Sequence, residues 1–330
     1  MTNNEFDASK TCLAVIDADA DELMKSSSGG AFSVLARRTL DRSGIVYGHA
    51  FDERLHVGCV RVDSVEGLAA LRGSKYVQSA MGDAMRNVKA DLEAGHEVLF
   101  SGTPCQVDGL LAFLGGPQDS LLTVDVVCHG VPSQAFFQDC MSVEFNDSLV
   151  TLNFRDKREG WGCGGSGAVF RGGAERGVPF NPAISYYYTR FLEGDVYRES
   201  CYKCPYAGGR RPGDFTIGDF WGINVVEAGL DEKRGISVVI TNTEKAVALI
   251  PYVESKTVWA ERPLEEAVQG NSQLLHPTPR SESRDIILNR WLDGGIEALE
   301  GEFRHKIALS SKKWLAKRMI KKAFKGALGK

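Results

Sequence analysis

Two cysteines in "CYKCPYA", Cys201 and Cys204, have the CxxC spacing that turns both sulfurs to one side of the chain, as metal ligands require. The pair holds half a site, and no second CxxC follows. Two further cysteines sit where ligands gather: Cys105 in "SGTPC" and Cys128 in "VVCHG", each after a short apolar run. Pro205 lacks a backbone N–H and stops a helix there, and cysteine before proline also ends common iron–sulfur loops. Four thiolates suit either a structural zinc or an iron–sulfur cluster. Zinc is the default for a bare count of four. The wide separation in sequence, and the strand-end position of two of the four, favour the cluster. Cys12, Cys59 and Cys140 read as structural thiols; Cys163, in "GWGCGG", fits either role.

The elements that must position these thiols are legible. "HEVLFSGTPC" is a strand ending in a tight loop, "QVDGLLAFLG" a helix, "LLTVDVVCHGVPS" a second strand and "QAFFQDCMSVEF" a second helix. Strand–helix–strand–helix is the pattern of parallel strands with right-handed crossovers. Ligands of such sheets bind outside the carboxyl ends of the strands, where Cys105 and Cys128 both fall. "IVYGHAFDERLHVGCVRV" predicts a hairpin turning near Asp52 to Arg54. "SSSGGAFSVLARRTLDRSG" predicts a loop opening a helix capped by Ser28 and ended by Gly44. After residue 150, short strands precede the helix "AISYYYTRFLEG", the CxxC loop, and the strands "DFTIGDFWG" and "GISVVITNT". The expected fold is α/β: a mixed, partly parallel sheet flanked by helices, with additional short strands in the C-terminal half. The expected division is 1–25, a short N-terminal segment; 26–150, with the Ser/Gly loop and two cysteine-ended strands; 151–302, which completes the site; and 303–330, a basic tail.

Composition bounds the function. The 330 residues are 43% hydrophobic and 25% charged, an ordinary globular profile, so disorder and a fibrous chain are excluded. No run reaches the length of a membrane span and no secretory signal opens the chain. The expected location is the cytoplasm, where eight cysteines do not build a disulfide framework. The formal net charge is −4, and without the ten Lys and Arg after Glu302 the body carries 29 basic against 43 acidic residues, a net of −14. Such a body is no nucleic-acid binder. The segment 310–330 has an apolar stripe through Leu315, Met319, Ile320, Ala323 and Leu328, flanked by lysines. Two readings stay open: a peripheral helix on the anionic inner face of the membrane, or a helix packed on the acidic body.

Two glycine-bearing segments could hold an anionic cofactor. The Ser27, Ser28, Gly29, Gly30 loop precedes a helix N-terminus, and "RGSKYVQS" offers Lys75 for a phosphate or an anionic ring and Tyr76 for stacking. Neither a dinucleotide fingerprint nor a Walker loop is present.

The series "SSSGGAFSVLA", "LRGSKYVQS", "VLFSGTPCQVDGL", "LLTVDVVCHGVPS", "FRDKREGW", "CYKCPYA", "GDFTIGDFWGI" and "GISVVITNTEK" resembles, in order, the motifs of the coenzyme F420 hydrogenase/dehydrogenase beta-subunit family. The resemblance implies an oxidoreductase with FAD and one 4Fe–4S cluster, ligated by Cys105, Cys128, Cys201 and Cys204. It assigns the flavin site to Ser27, Ser28, Gly29, Gly30, Ser74, Lys75, Tyr76, Gln78 and Ser79, with Thr103, His129 and Gly130 lining the same crevice. Asp219 would either join the cluster's surroundings or cap a turn. Many members begin with a ferredoxin-like segment that this sequence lacks. Electrons would then come from a separate protein or a reduced cofactor. The substrate would be a small molecule or, as in glycan-cluster members, a lipid-linked sugar. A zinc- or cluster-stabilised scaffold without catalysis is the competing class. Nothing in these residues fixes whether deazaflavin is used.

Overall fold

The computed structural model describes residues 10–162, 164–299, 301 and 302. The tail read as a basic amphipathic helix, and Cys163, lie outside the described residues. In chain order the strands are β1 (Cys12–Asp17), β2 (Ile45–Phe51), β3 (Val57–Val62), β4 (Val98–Gly102), β5 (Leu121–Val126), β6 (Leu149–Asn153), β7 (Gly165–Arg171), β8 (Ala174–Phe180), β9 (Phe215–Asp219), β10 (Ser237–Thr241) and β11 (Thr257–Glu261).

Eight strands form one mixed sheet in the order β11-β1-β10-β9-β5-β4-β2-β3, and β6, β7 and β8 form a small antiparallel sheet. The block β2, β4, β5, β9 is parallel. Each neighbouring pair outside it is antiparallel. This is the α/β architecture expected, with helices on both faces. Alternation decides the faces. Val46, Leu99, Leu122 and Val124 pack on the helix Ala31–Asp41 side. Ile45, Tyr47, Val98 and Phe100 pack on the side of helices Ala84–Glu93 and Pro104–Leu114. β4 and β10 are buried at every position, as strands covered on both faces must be.

β1 and β11, read in the sequence as a leading segment and as nothing, are strands at one side of the sheet. β9, β10 and β11 come from beyond residue 150 and join the sheet built by β1 to β5, so strands from both halves share it. β8 is a further strand that the sequence reading passed over.

An aromatic core fills the space between this sheet and the small one. Phe136, Phe137, Phe154, Phe180, Tyr186, Tyr187, Tyr188 and Phe191 are all buried there. Two of these tyrosines do more than fill volume. Tyr187 donates its hydroxyl to Tyr76 O at 2.6 Å and Tyr188 donates to Phe154 O at 3.0 Å. Buried hydroxyls without such partners would cost stability; here the Tyr187 bond fixes the Arg72 to Ser79 segment beside the strand ends, and the Tyr188 bond holds the chain just after β6.

Candidate redox site

Cys105 is the second residue of helix Pro104–Leu114, which starts directly after β4. Thr103 caps that helix: its N–H donates to Gln106 Oε1 at 3.0 Å, and its Oγ1 lies 3.2 Å from Cys105 Sγ. Cys128 stands two residues past β5, the parallel neighbour of β4. The CxxC occupies the 3-10 turn Glu199–Lys203 and its cap. This turn is drawn to Cys128 by the backbone. Arg198 N–H donates to Val131 O at 3.0 Å, and Pro132 bridges Tyr197. Gly130 makes the approach possible: its φ is +132°, and a Cβ there would sit 2.3 Å from the Tyr197 ring. Tyr206, just after the pair, donates to Asp108 Oδ2 at 2.7 Å and so ties the loop to the helix of Cys105.

The four thiols therefore share one neighbourhood. Burial first, then the nearby Cys201, Cys105 and Cys204, pushes the Cys128 thiol up to about 12. The Cys201 thiol is raised by burial and by Cys204 and Cys105. Burial favours the neutral form of Cys128 and Cys201; to act as ligands, thiolates need a cationic centre between them. Among the described residues, no three His, Cys, Asp or Glu side chains are gathered tightly enough to hold a single metal ion. A cluster of several iron and sulfide ions spaces its thiolates more widely than one zinc ion does. Four thiols are a donor set that either an iron–sulfur cluster or a zinc ion takes.

Beside the thiols lies a cavity of about 560 Å³ at the carboxyl ends of β2, β4, β5 and β9, within the range of small-molecule sites. Ser27, Ser28, Gly30, Ser74, Lys75, Tyr76, Gln78, Ser79, Thr103, His129 and Gly130 line it, together with Cys105 and Cys128. Gly29 does not line it. A Cβ on Gly29 would fall 2.0 Å from Val15 O, so this glycine lets the loop pack against β1.

Several side chains in this wall are already engaged within the chain. The helix after the loop is capped by Gly30 at φ +89°, not by Ser28, because the Ser28 hydroxyl donates to Ile236 O at 2.7 Å. Ser27 Oγ accepts from Ser74 N at 2.7 Å. Lys75 donates to Ala70 O, Leu71 O and Arg72 O at 3.0, 3.1 and 2.7 Å, closing the end of helix Leu68–Leu71, and burial pushes its ammonium down to about 7. The Tyr76 ring stacks on Phe191 at 4.4 Å.

Sequence reasoning missed part of the wall. Arg155 grips Asp219 with two bonds of 2.7 and 3.0 Å and reaches Tyr76 Oη at 3.1 Å. Trp161 donates to Asp219 Oδ1 at 2.8 Å, and its indole stacks on Trp221, which faces the cavity, at 4.3 Å. Lys157 donates to Ser28 O at 2.6 Å. The motif "FRDKREGW" thus anchors the Ser/Gly loop and the end of β9. It entered the sequence reading only through the family resemblance, which named none of these partners. His49, inside a plain alternating strand, carried no signal at all.

The profile for the C terminus of the coenzyme F420 hydrogenase/dehydrogenase beta subunit matches residues 95–267, which include Cys105, Cys128 and the CxxC. The chain belongs to this family. Among solved structures, a chain of the F420-reducing NiFe hydrogenase complex from Methanosarcina barkeri is similar, with a TM-score of 0.52 and 17% identity. The alignment covers 86% of this chain and 93% of that one. That likeness is one of fold. No curated protein matches. Membership makes the chain an oxidoreductase of the hydrogenase/dehydrogenase beta-subunit type.

Proposed function

We propose that this beta-subunit-type protein is a flavin- and 4Fe–4S-dependent oxidoreductase that passes electrons between an external donor and a substrate. Cys105, Cys128, Cys201 and Cys204 would hold the cluster, and the adjoining cavity would hold FAD. The observation that carries the reading is the meeting of thiols from three distant segments, two of which, Cys105 and Cys128, line a ligand-sized cavity. The cluster would supply one-electron steps and the flavin two-electron steps.

The chain's own contribution is positional. The Arg198–Val131 and Tyr206–Asp108 bonds hold the CxxC against the two strand-end thiols. Asp219, fixed by Arg155 and Trp161, lines the cavity without contributing an unpaired charge. Residues 26–150 supply the loop and two thiols, and residues 151–302 the CxxC and Asp219; this division is functional, since the sheet spans both.

The similar fold of a subunit in a hydrogenase complex is in keeping with an electron-donor protein as partner. A reduced cofactor is the other donor class. The resemblance to glycan-cluster members points to a small-molecule or lipid-linked sugar substrate. No helix among the described residues is long and apolar enough to cross a membrane; the contact proposed for 310–330 is a peripheral one, from the cytoplasmic side. Anaerobically purified protein should be brown, with broad absorbance near ~400 nm from sulfur-ligated iron and extractable FAD. Colourless protein carrying zinc and no flavin would replace this reading with the scaffold.

A further inference from the structure

His49 lies on β2 and lines the cavity. Its Nδ1 is 2.6 Å from Ser79 Oγ, and its ring meets Phe100 edge-on at 6.5 Å. The imidazole is therefore fixed in position. Its other nitrogen, Nε2, is shielded from water and has no hydrogen-bond partner. A buried polar atom without a partner is rare in native proteins and calls for a ligand or an ordered water.

The neighbours leave that atom to the cavity. Gln106 Oε1 of the adjacent helix accepts from both the N–H and the hydroxyl of Thr103. Gly102 has no side chain to fill the gap: a Cβ there would sit 3.2 Å from Nε2. Met81 and Met85 line the same cavity, and thioether side chains pack well on aromatic faces. The 2.6 Å contact of Ser79 Oγ with Nδ1 is much shorter than its 3.4 Å donation to Ala80 O, which favours the tautomer with the Ser79 proton on the Nδ1 side. Nε2 then carries the N–H and is a donor.

We propose that His49 binds the ligand of this cavity, its Nε2–H donating to an acceptor on the edge of the flavin ring. This rests on the cavity being the flavin site. Burial, then the nearby Lys75, pushes the imidazole down to about 4, so it stays a neutral donor at physiological pH and does not act as a proton source.

Two measurements test the assignment. In protein labelled with 15N-histidine, flavin-free and then reconstituted with FAD, the His49 Nε2 resonance should be of the protonated type and move on FAD binding. His49→Phe keeps a flat ring but removes the donor, and should weaken FAD binding about five- to tenfold, the worth of one hydrogen bond. His49→Gln, which restores an N–H, should recover most of it. An unmoved resonance together with unchanged FAD affinity in His49→Phe overturns the proposal and leaves the flavin reading standing. A wild-type protein that binds no FAD overturns both.

Discussion

Asp219 accepts from Arg155 and from Trp161 in a wall where the Arg155 side chain is only 2% exposed. Removing one partner of such a pair leaves a buried charge uncompensated, which costs about 3–5 kcal/mol. Asp219→Ala should therefore lower the urea midpoint by that equivalent, with the Trp161 fluorescence changing as its indole N–H loses its acceptor. An unchanged midpoint would show that Arg155 finds water instead. His49 gives a pH signature at the same scale. It binds a proton below about 4 in the fold, and below ~6.5 when unfolded. Between these values the unfolded state binds more protons, so stability rises with pH across the window. Flavin-free His49→Phe should show a shallower rise of stability from pH 4.5 to 6.5 than wild type, measured by urea unfolding.

At the scale of elements, the close approach of the Cys128 turn to the CxxC turn depends on Gly130. Gly116 has the same φ of +132° with open space around it, whereas a Cβ on Gly130 meets the Tyr197 ring at 2.3 Å. Strained backbone alone costs about 1–3 kcal/mol. Gly130→Ala should thus destabilise more than Gly116→Ala by thermal unfolding; equal losses would mean that the Tyr197 ring yields freely. The β4 and β5 unit was legible in the sequence because apolar runs, helix stops and strand-end cysteines all agreed. β1 and β11 were not, because "CLAVID" and "TVWAE" are five or six residues without turn signals, and their strand state comes from pairing with β10 and with each other. The lining residues Ser74, Gln78 and Ser79 were legible through resemblance. Asp219 was open between two roles, and its two donors come from a segment more than 50 residues away that no spacing rule connects to it.

At the scale of the whole molecule, one sheet receives strands from both halves of the chain; Cys105 and Cys128 line the cavity at its strand ends, and the backbone draws the CxxC turn to the Cys128 turn. Family membership makes the protein a hydrogenase/dehydrogenase beta-subunit-type oxidoreductase; the four-thiol cluster is the central claim added to it. The direct test is iron and acid-labile sulfide per chain in anaerobically purified single variants. Cys105→Ser, Cys128→Ser, Cys201→Ser and Cys204→Ser should each lose most of the cluster while keeping a cooperative unfolding transition. Cys59→Ser and Cys140→Ala, changed at thiols elsewhere in the fold, should keep it. Full iron retention in any of the first four, or equal loss in the two controls, would contradict the account.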